Sequence, residues 1–139
     1  TRFVGTATFE GLTGHPVLTD TFTDAMAHIE WAKWADVACV APLTANTMAK
    51  LACGLADDAL STVLMAIPRG IPIVLGPAMN TEMWQKLSVQ RNLQRLRDDG
   101  FHIVDPQSGW LSCRQQGIGR MAEPAEIKKV IGKLLKNTI

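Results

Sequence analysis

The sequence has no tyrosine, no block of like charge and no apolar stretch of membrane-spanning length, and its three cysteines lie far apart. Each shortage narrows the field. The longest apolar-leaning segment, Ala59 to Ile67, is far too short to cross a bilayer and is interrupted by Ser61 and Thr62. With 14 basic against 13 acidic residues and no basic stripe, nothing predicts binding to nucleic acid or to a membrane surface. Cys39, Cys53 and Cys113 are odd in number and include no C-x-x-C pair. That argues against a disulfide framework or a zinc site and fits a reducing cytoplasm. Thr1-Arg2-Phe3-Val4 lacks the charged-then-apolar layout of a secretory leader, so a cytoplasmic location is expected.

What is present is ordinary for a globular α/β protein: 139 residues, 47% hydrophobic and 19% charged, enough for one domain with a real core. No internal repeat or linker divides it. Thr6 to Thr13 reads as a short helix closed by Gly14, and Ile29 to Trp34 as another. Val37 to Ala41 reads as a buried strand ended by Pro42. Thr44 or Asn46 caps the next helix, with Met48, Leu51, Ala52 and Leu55 on one face. Ala59 to Ile67 reads as a largely buried helix. Ile71-Pro72-Ile73-Val74-Leu75-Gly76 is short, rich in β-branched residues and bounded by Gly and Pro, as buried parallel strands are. A helix with Val89, Leu93 and Leu96 inward follows, then a strand over Phe101 to Val104. Gln107 to Arg120 reads as a glycine-containing loop without periodicity. Ile127, Val130, Ile131, Leu134 and Leu135 mark a final amphipathic helix. Strands alternating with helices predict a parallel sheet covered on both faces, with fewer strands than such sheets usually have.

Three segments carry polar groups that the scaffold does not require. Pro42-Leu43-Thr44-Ala45-Asn46-Thr47 runs from a strand end into a helix start, where free amides and hydroxyls suit electron-rich ligand atoms, or simply cap the helix. Pro77-Ala78-Met79-Asn80-Thr81-Glu82-Met83-Trp84 follows a strand, and ligands of open α/β sheets bind just beyond strand carboxyl ends. Asn80 there is either a ligand contact or a turn residue bonding its own backbone. The third is Ser108 to Met121, whose Cys113 lies beside Arg114, a setting that lowers a thiol's pKa. Cys39 and Cys53 read as inert small hydrophobes. His28, just ahead of the Ile29 helix, has the chemistry of an acid or base, whereas His15 and His102 read as structural.

Taken together, in this order and spacing, these segments resemble the homo-oligomeric flavin-containing cysteine decarboxylases. The resemblance rests on Phe9 to Pro16, His28-Ile29 with Trp34-Ala35-Asp36, Pro42 to Thr47 with Thr44 replacing the common Ser, Pro77 to Trp84 in full, and Gly119-Arg120-Met121 closing the late loop. It covers essentially residues 1–139. The family's opening strand and its Ser/Gly-rich loop for the flavin phosphate have no counterpart before Thr1. The resemblance therefore implies a Rossmann-like open parallel sheet with helices on both faces and its first strands missing.

For chemistry, the resemblance implies an FMN-dependent oxidative decarboxylation of 4′-phosphopantothenoylcysteine to 4′-phosphopantetheine in coenzyme A synthesis. Oxidation of the cysteinyl thiol to a thioaldehyde creates the electron sink that lets carbon dioxide leave; the enethiolate is then reduced. His28, Asn80 and Cys113 are implied as the catalytic residues: an acid/base, a holder of the substrate carboxylate, and a proton donor in the final reduction. Thr44, Ala45, Asn46, Thr47 and Ala78 are implied at the flavin, and Asn80, Met83, Arg120 and Met121 at the substrate. A homotrimer or dodecamer is implied. A peptidyl-cysteine decarboxylase and a non-catalytic regulatory paralogue are the competing readings.

Overall fold

The computed structural model describes residues 4–21, 26–111, 114 and 116–137. Three parallel strands, β1 (Ala38–Leu43), β2 (Ile73–Pro77) and β3 (His102–Ile103), form a sheet in that order, with β2 in the middle. The register sets Val40 beside Leu75 and Leu43 beside Pro77 on one flank, and Leu75 beside Ile103 on the other.

Side-chain alternation divides the core into two layers. Val40, Leu43 and Leu75 join Met48, Leu51 and Ala52 of α3 (Ala45–Cys53) and Val89, Leu93 and Leu96 of α6 (Leu87–Asp98). Val74 points the other way, onto Ala122 and Ile127 near the start of α7 (Pro124–Asn137). The α/β expectation, helices on both faces of a parallel sheet, is met. Gly76 lets α7 approach: a Cβ there would stand 3.1 Å from Ile127 Cδ1, 3.4 Å from Ala41 Cβ and 3.7 Å from Met121 Cγ. On the outside, α1 (Thr6–Thr13) buries no residue, and the segment that follows it meets α2 (Ala27–Trp34) through an edge contact of His15 with Trp34.

Several elements differ from their sequence reading. His28 lies inside α2, not ahead of it. β1 runs on through Pro42 to Leu43, with a register irregularity there; at the edge of the described sheet a proline need not break a ladder bond. Gly54 is the left-handed C-cap of α3, so Leu55 falls beyond the helix and is exposed. Rather than being largely buried, α4 (Ala59–Ala66) is half outside, with Leu60 and Met65 exposed and Leu64 and Ser61 buried. Cys39 and Cys53 are exposed rather than core residues: α7 covers β2 but leaves the same face of β1 open at Cys39. β3 keeps two residues. Gln107 to Arg120, expected to lack order, contains an antiparallel hairpin of β4 (Gln107–Trp110) and β5 (Gln116–Arg120). A short helix, α5 (Thr81–Trp84), follows β2.

The start of α4 is the most tightly specified helix end. The Asp58 carboxylate accepts from the Ser61 amide at 2.8 Å, and the Ser61 hydroxyl accepts from the Asp58 amide at 3.1 Å, a reciprocal capping box. Lys50 of α3 donates to Asp57 and Asp58, each at 2.6 Å, linking the two helices. The Lys50 ammonium and the Ser61 amide hold the Asp58 carboxyl down at about 2, below its ordinary 3.8. A depressed carboxylate stabilises the fold above its unfolded pKa and ceases to do so as the pH falls through its folded one. Asp58→Asn retains a capping oxygen but loses the charge. It is expected to lower the urea midpoint near pH 7 modestly, with the gap closing between about pH 4 and about pH 2. A gap of constant size over that range would contradict the assignment.

Candidate functional site

The carboxyl ends of β1 and β2 deliver two loops to one place. The Ala78 amide donates to the Leu43 carbonyl at 3.0 Å, which sets Ala78 next to Thr44. On the β1 side, Thr44 is extended (φ −80°, ψ 160°), and its Oγ1 accepts from the Thr47 amide at 3.2 Å and lies 3.1 Å from the Thr47 hydroxyl. Thr44, not Asn46, is thus the cap of α3. The first-turn amides of Ala45 and Asn46 have no carbonyl within the helix to reach and point outward from its positive end.

On the β2 side, Asn80 caps α5. Its Oδ1 accepts from the Met83 amide at 2.8 Å. One residue later the buried Trp84 is wedged into the core, and its carbonyl accepts from Gln90 Nε2 at 2.6 Å. That explains the Asn-x-x-Met-Trp spacing: Trp84 anchors the turn, the Met83 amide engages one face of the carboxamide, and Asn80 Nδ2 is left as an outward donor. The Asn80 side chain is exposed.

A third piece closes the arrangement. The Met79 amide donates to Gly119 O at 3.0 Å, and the Thr81 hydroxyl donates to Ile118 O at 2.8 Å, so the β4–β5 hairpin sits against the Asn80 loop. Gly119 has φ +128°, and a Cβ there would come within 2.2 Å of the Met79 carbonyl; no other residue fits. Between loop and hairpin opens a cleft of about 440 Å³, lined among others by Ala78, Met79, Trp110, Arg120 and Met121. The Arg120 guanidinium is paired with Glu123 at its rim. A larger cleft, about 850 Å³, lies at the opposite end of the sheet, against Ile73 and His102 at the strand starts. The carboxyl ends of α3, α4 and α6 meet there, so its partial charges favour cations, which Arg95 in the last turn of α6 already supplies.

Of the residues expected at a site, Thr44, Ala45, Asn46, Thr47, Ala78, Asn80, Arg120 and Met121 gather at this one end of the sheet. Met83, exposed on α5, contributes its backbone amide. His28 stands apart on α2, which packs against α4; no hydrogen bond among the described residues joins it to the cleft. Among the described residues its buried Nδ1 finds no partner, an expensive state for a polar atom. Cys113 lies outside the described residues. Thr81, Gly117 and Trp110 were not singled out by sequence. Only the glycines of Gly117-Ile118-Gly119 hinted that a backbone approaches closely there.

The sequence pattern of the Flavoprotein family matches residues 1–136. The chain belongs to the Flavoprotein family. It is 43% identical to the coenzyme A biosynthesis bifunctional protein CoaBC of Bacillus subtilis over 136 residues, 95% of this chain and 33% of that protein. The Escherichia coli CoaBC is 38% identical over 130 residues, 90% of this chain and 31% of that one. The chain thus spans about a third of the length of the curated relatives it matches. Among solved structures, a cysteine-to-serine mutant of PPC decarboxylase complexed with pantothenoylaminoethenethiol superposes with a TM-score of 0.81 at 34% identity, covering 87% of this chain and 71% of that one. The FMN-dependent cysteine decarboxylase SpaF gives 0.82 at 35% identity, covering 99% and 73%. The Rossmann-like Flavoprotein fold is therefore established, and its two strand-end loops are those described above.

The double duty of Asn80 is separable. Asn80→Asp keeps an oxygen for the Met83 amide, so its stability should stay near wild type. Asn80→Ala removes the cap and should cost about 1 kcal/mol by urea unfolding. Equal stability of the two variants would show that the cap contributes nothing.

Proposed function

We propose that this chain is an FMN-dependent decarboxylase that converts 4′-phosphopantothenoylcysteine to 4′-phosphopantetheine in coenzyme A synthesis. The observation that carries the reading is the pairing of an uncharged, donor-rich strand end with an outward carboxamide donor beside a cleft. The kinship with CoaBC proteins and with PPC decarboxylase points the same way.

The residues fit a flavin. Its ring edge presents carbonyls and ring nitrogens, and the hydroxyls of Thr44 and Thr47 with the open amides of Ala45 and Asn46 offer matching uncharged donors. Ala78, with a methyl side chain one hydrogen bond from Leu43, leaves room for a flat ring. When bound, FMN supplies two-electron oxidation of the cysteinyl thiol and returns the electrons at the end. Asn80 Nδ2 then donates to the substrate carboxylate and holds it beside the ring. His28 takes up or delivers the proton that accompanies thiol oxidation; its orphaned Nδ1 supports a role completed by something beyond the described residues. Cys113 delivers a proton in the final reduction. Arg120 and Met121, on the hairpin side of the cleft, contact the rest of the substrate, and Met83 lies at the margin of the same site.

A homotrimer or dodecamer belongs to this reading. Phe9 and Leu12 on α1 are 50% and 80% exposed and Trp34 on α2 69%, a large apolar surface for one chain to leave in water. A cytoplasmic location also belongs to it, in keeping with the free thiols of Cys39 and Cys53. Among the described residues no helix is long and apolar enough to cross a membrane.

The decisive experiment adds FMN and 4′-phosphopantothenoylcysteine to the purified protein and follows flavin absorbance, carbon dioxide and the saturated thiol product. A peptide ending in cysteine, run in parallel, tests the alternative substrate. A colourless protein, or release of carbon dioxide from the peptide alone, would overturn the proposal. His28→Asn should keep the flavin spectrum and lose at least about 100-fold in carbon dioxide release. Cys113→Ser should accumulate the unsaturated thiol; a normal product profile would refute its role. A native mass equal to a multiple of three chains is expected, and a monomer would refute the assembly.

A further inference from the structure

We propose that Thr81 is a positioning residue: its hydroxyl latches the β4–β5 hairpin onto the Asn80 loop and so sets the far wall of the substrate cleft. This role rests on the decarboxylase reading only in that the cleft must be the one that substrate enters.

The hairpin depends on such a latch because it stands alone. Among the described residues β4 and β5 pair with each other and not with the parallel sheet. An isolated two-stranded hairpin is marginal in water, and this one is weakened by Gly109 directly opposite Gly117. Its place in the molecule is therefore dictated by its anchors. Among the described residues these include Gln107 Nε2 donating to Glu126 of α7 at 2.6 Å at the start of β4 and, along β5, the Met79 amide donating to Gly119 O at 3.0 Å, the Ile118 side chain against the core, and the Thr81 hydroxyl donating to Ile118 O at 2.8 Å. Thr81 bridges 37 residues of sequence by a side chain alone.

The fit around that hydroxyl is made to measure. A Cβ at Gly117 would stand 2.1 Å from Thr81 Oγ1, so even alanine there would expel the hydroxyl from its seat. Gly117 does not have the positive φ of Gly119, so the constraint at Gly117 is the close approach itself. Asn80 and Thr81 are adjacent but divide the work: Asn80 caps α5 and faces outward, while Thr81 holds the strand that leads into Arg120 and Met121 on the cleft wall. A valine at position 81 has the same shape and lacks only the donor.

The test compares Thr81→Val, Thr81→Ser and Gly117→Ala in the intact protein by amide hydrogen exchange at Met79 and by steady-state kinetics. Losing one hydrogen bond of ordinary strength shifts the seated hairpin's population by about fivefold to tenfold. Thr81→Val and Gly117→Ala should speed Met79 exchange by about that factor and raise KM comparably with kcat within about threefold. Thr81→Ser, which keeps the donor, should restore both. Unchanged Met79 exchange in Thr81→Val and Gly117→Ala overturns the latch, as does a serine variant as impaired as valine, or a loss confined to kcat. The exchange result stands whether or not 4′-phosphopantothenoylcysteine is the substrate, so inactivity of the wild-type protein on that compound would sink the proposed function and leave the latch separately decided.

Discussion

Parallel pairing of β1 with β2 is the constraint from which the site follows. Because both strands run the same way, both leave the sheet at the same edge, and the bond from the Ala78 amide to the Leu43 carbonyl carries the pairing past the last ladder residues into the loops. Two segments more than thirty positions apart thereby become one surface. The strand-end residues Thr44 to Thr47 and Ala78 to Thr81 carry no formal charge, and the Arg120 guanidinium at the rim of the cleft is paired with Glu123. Such a surface discriminates by hydrogen-bond geometry and shape rather than by net charge, as recognition of an uncharged ring system requires.

On sequence, ligand contact competes with helix capping at Thr44 and with a bond to its own backbone at Asn80, and the structure shows why that choice was artificial. Each residue has more hydrogen-bonding capacity than a helix end consumes. Thr44 gives an acceptor to the Thr47 amide; Asn80 gives Oδ1 to the Met83 amide. The capping bond also immobilises the side chain, so what remains of its capacity is held in a fixed direction. A residue that had to be locked by separate partners would need a further shell of side chains; here the backbone does the locking.

Much of this arrangement was legible in the sequence because it is local. The β2 strand, a cap at Thr44 or Asn46, the bond of Asn80 to its own backbone, the inward faces of α6 and α7 and the closing of α1 at Gly14 are encoded within a few residues of where they act. What escaped was set at a distance. The β4–β5 hairpin shows no alternation, since Gly109, Gly117 and Gly119 occupy positions where side chains would announce a strand. Its glycines serve the Met79 carbonyl and Thr81 hydroxyl, groups remote in sequence and so invisible to any window of it. α4 looked buried because it is apolar apart from Ser61 and Thr62, yet its main packing is on the side toward α2 and α3. His28 was assigned to a helix approach when it stands within the first turn, a boundary shift of two residues that changes which way the imidazole points.

Gly76 carries a last implication. One absent methyl group separates the sheet from Ile127 of α7, from Ala41 of β1 and from the Met121 stem that borders the cleft. The seat of the terminal helix and the breadth of the binding chamber are thus drawn from the same few tenths of an ångström. A chamber reshaped for a bulkier ligand could not widen at Met121 without disturbing α7, so the hairpin side of the cleft and the packing of the last helix are bound to change together.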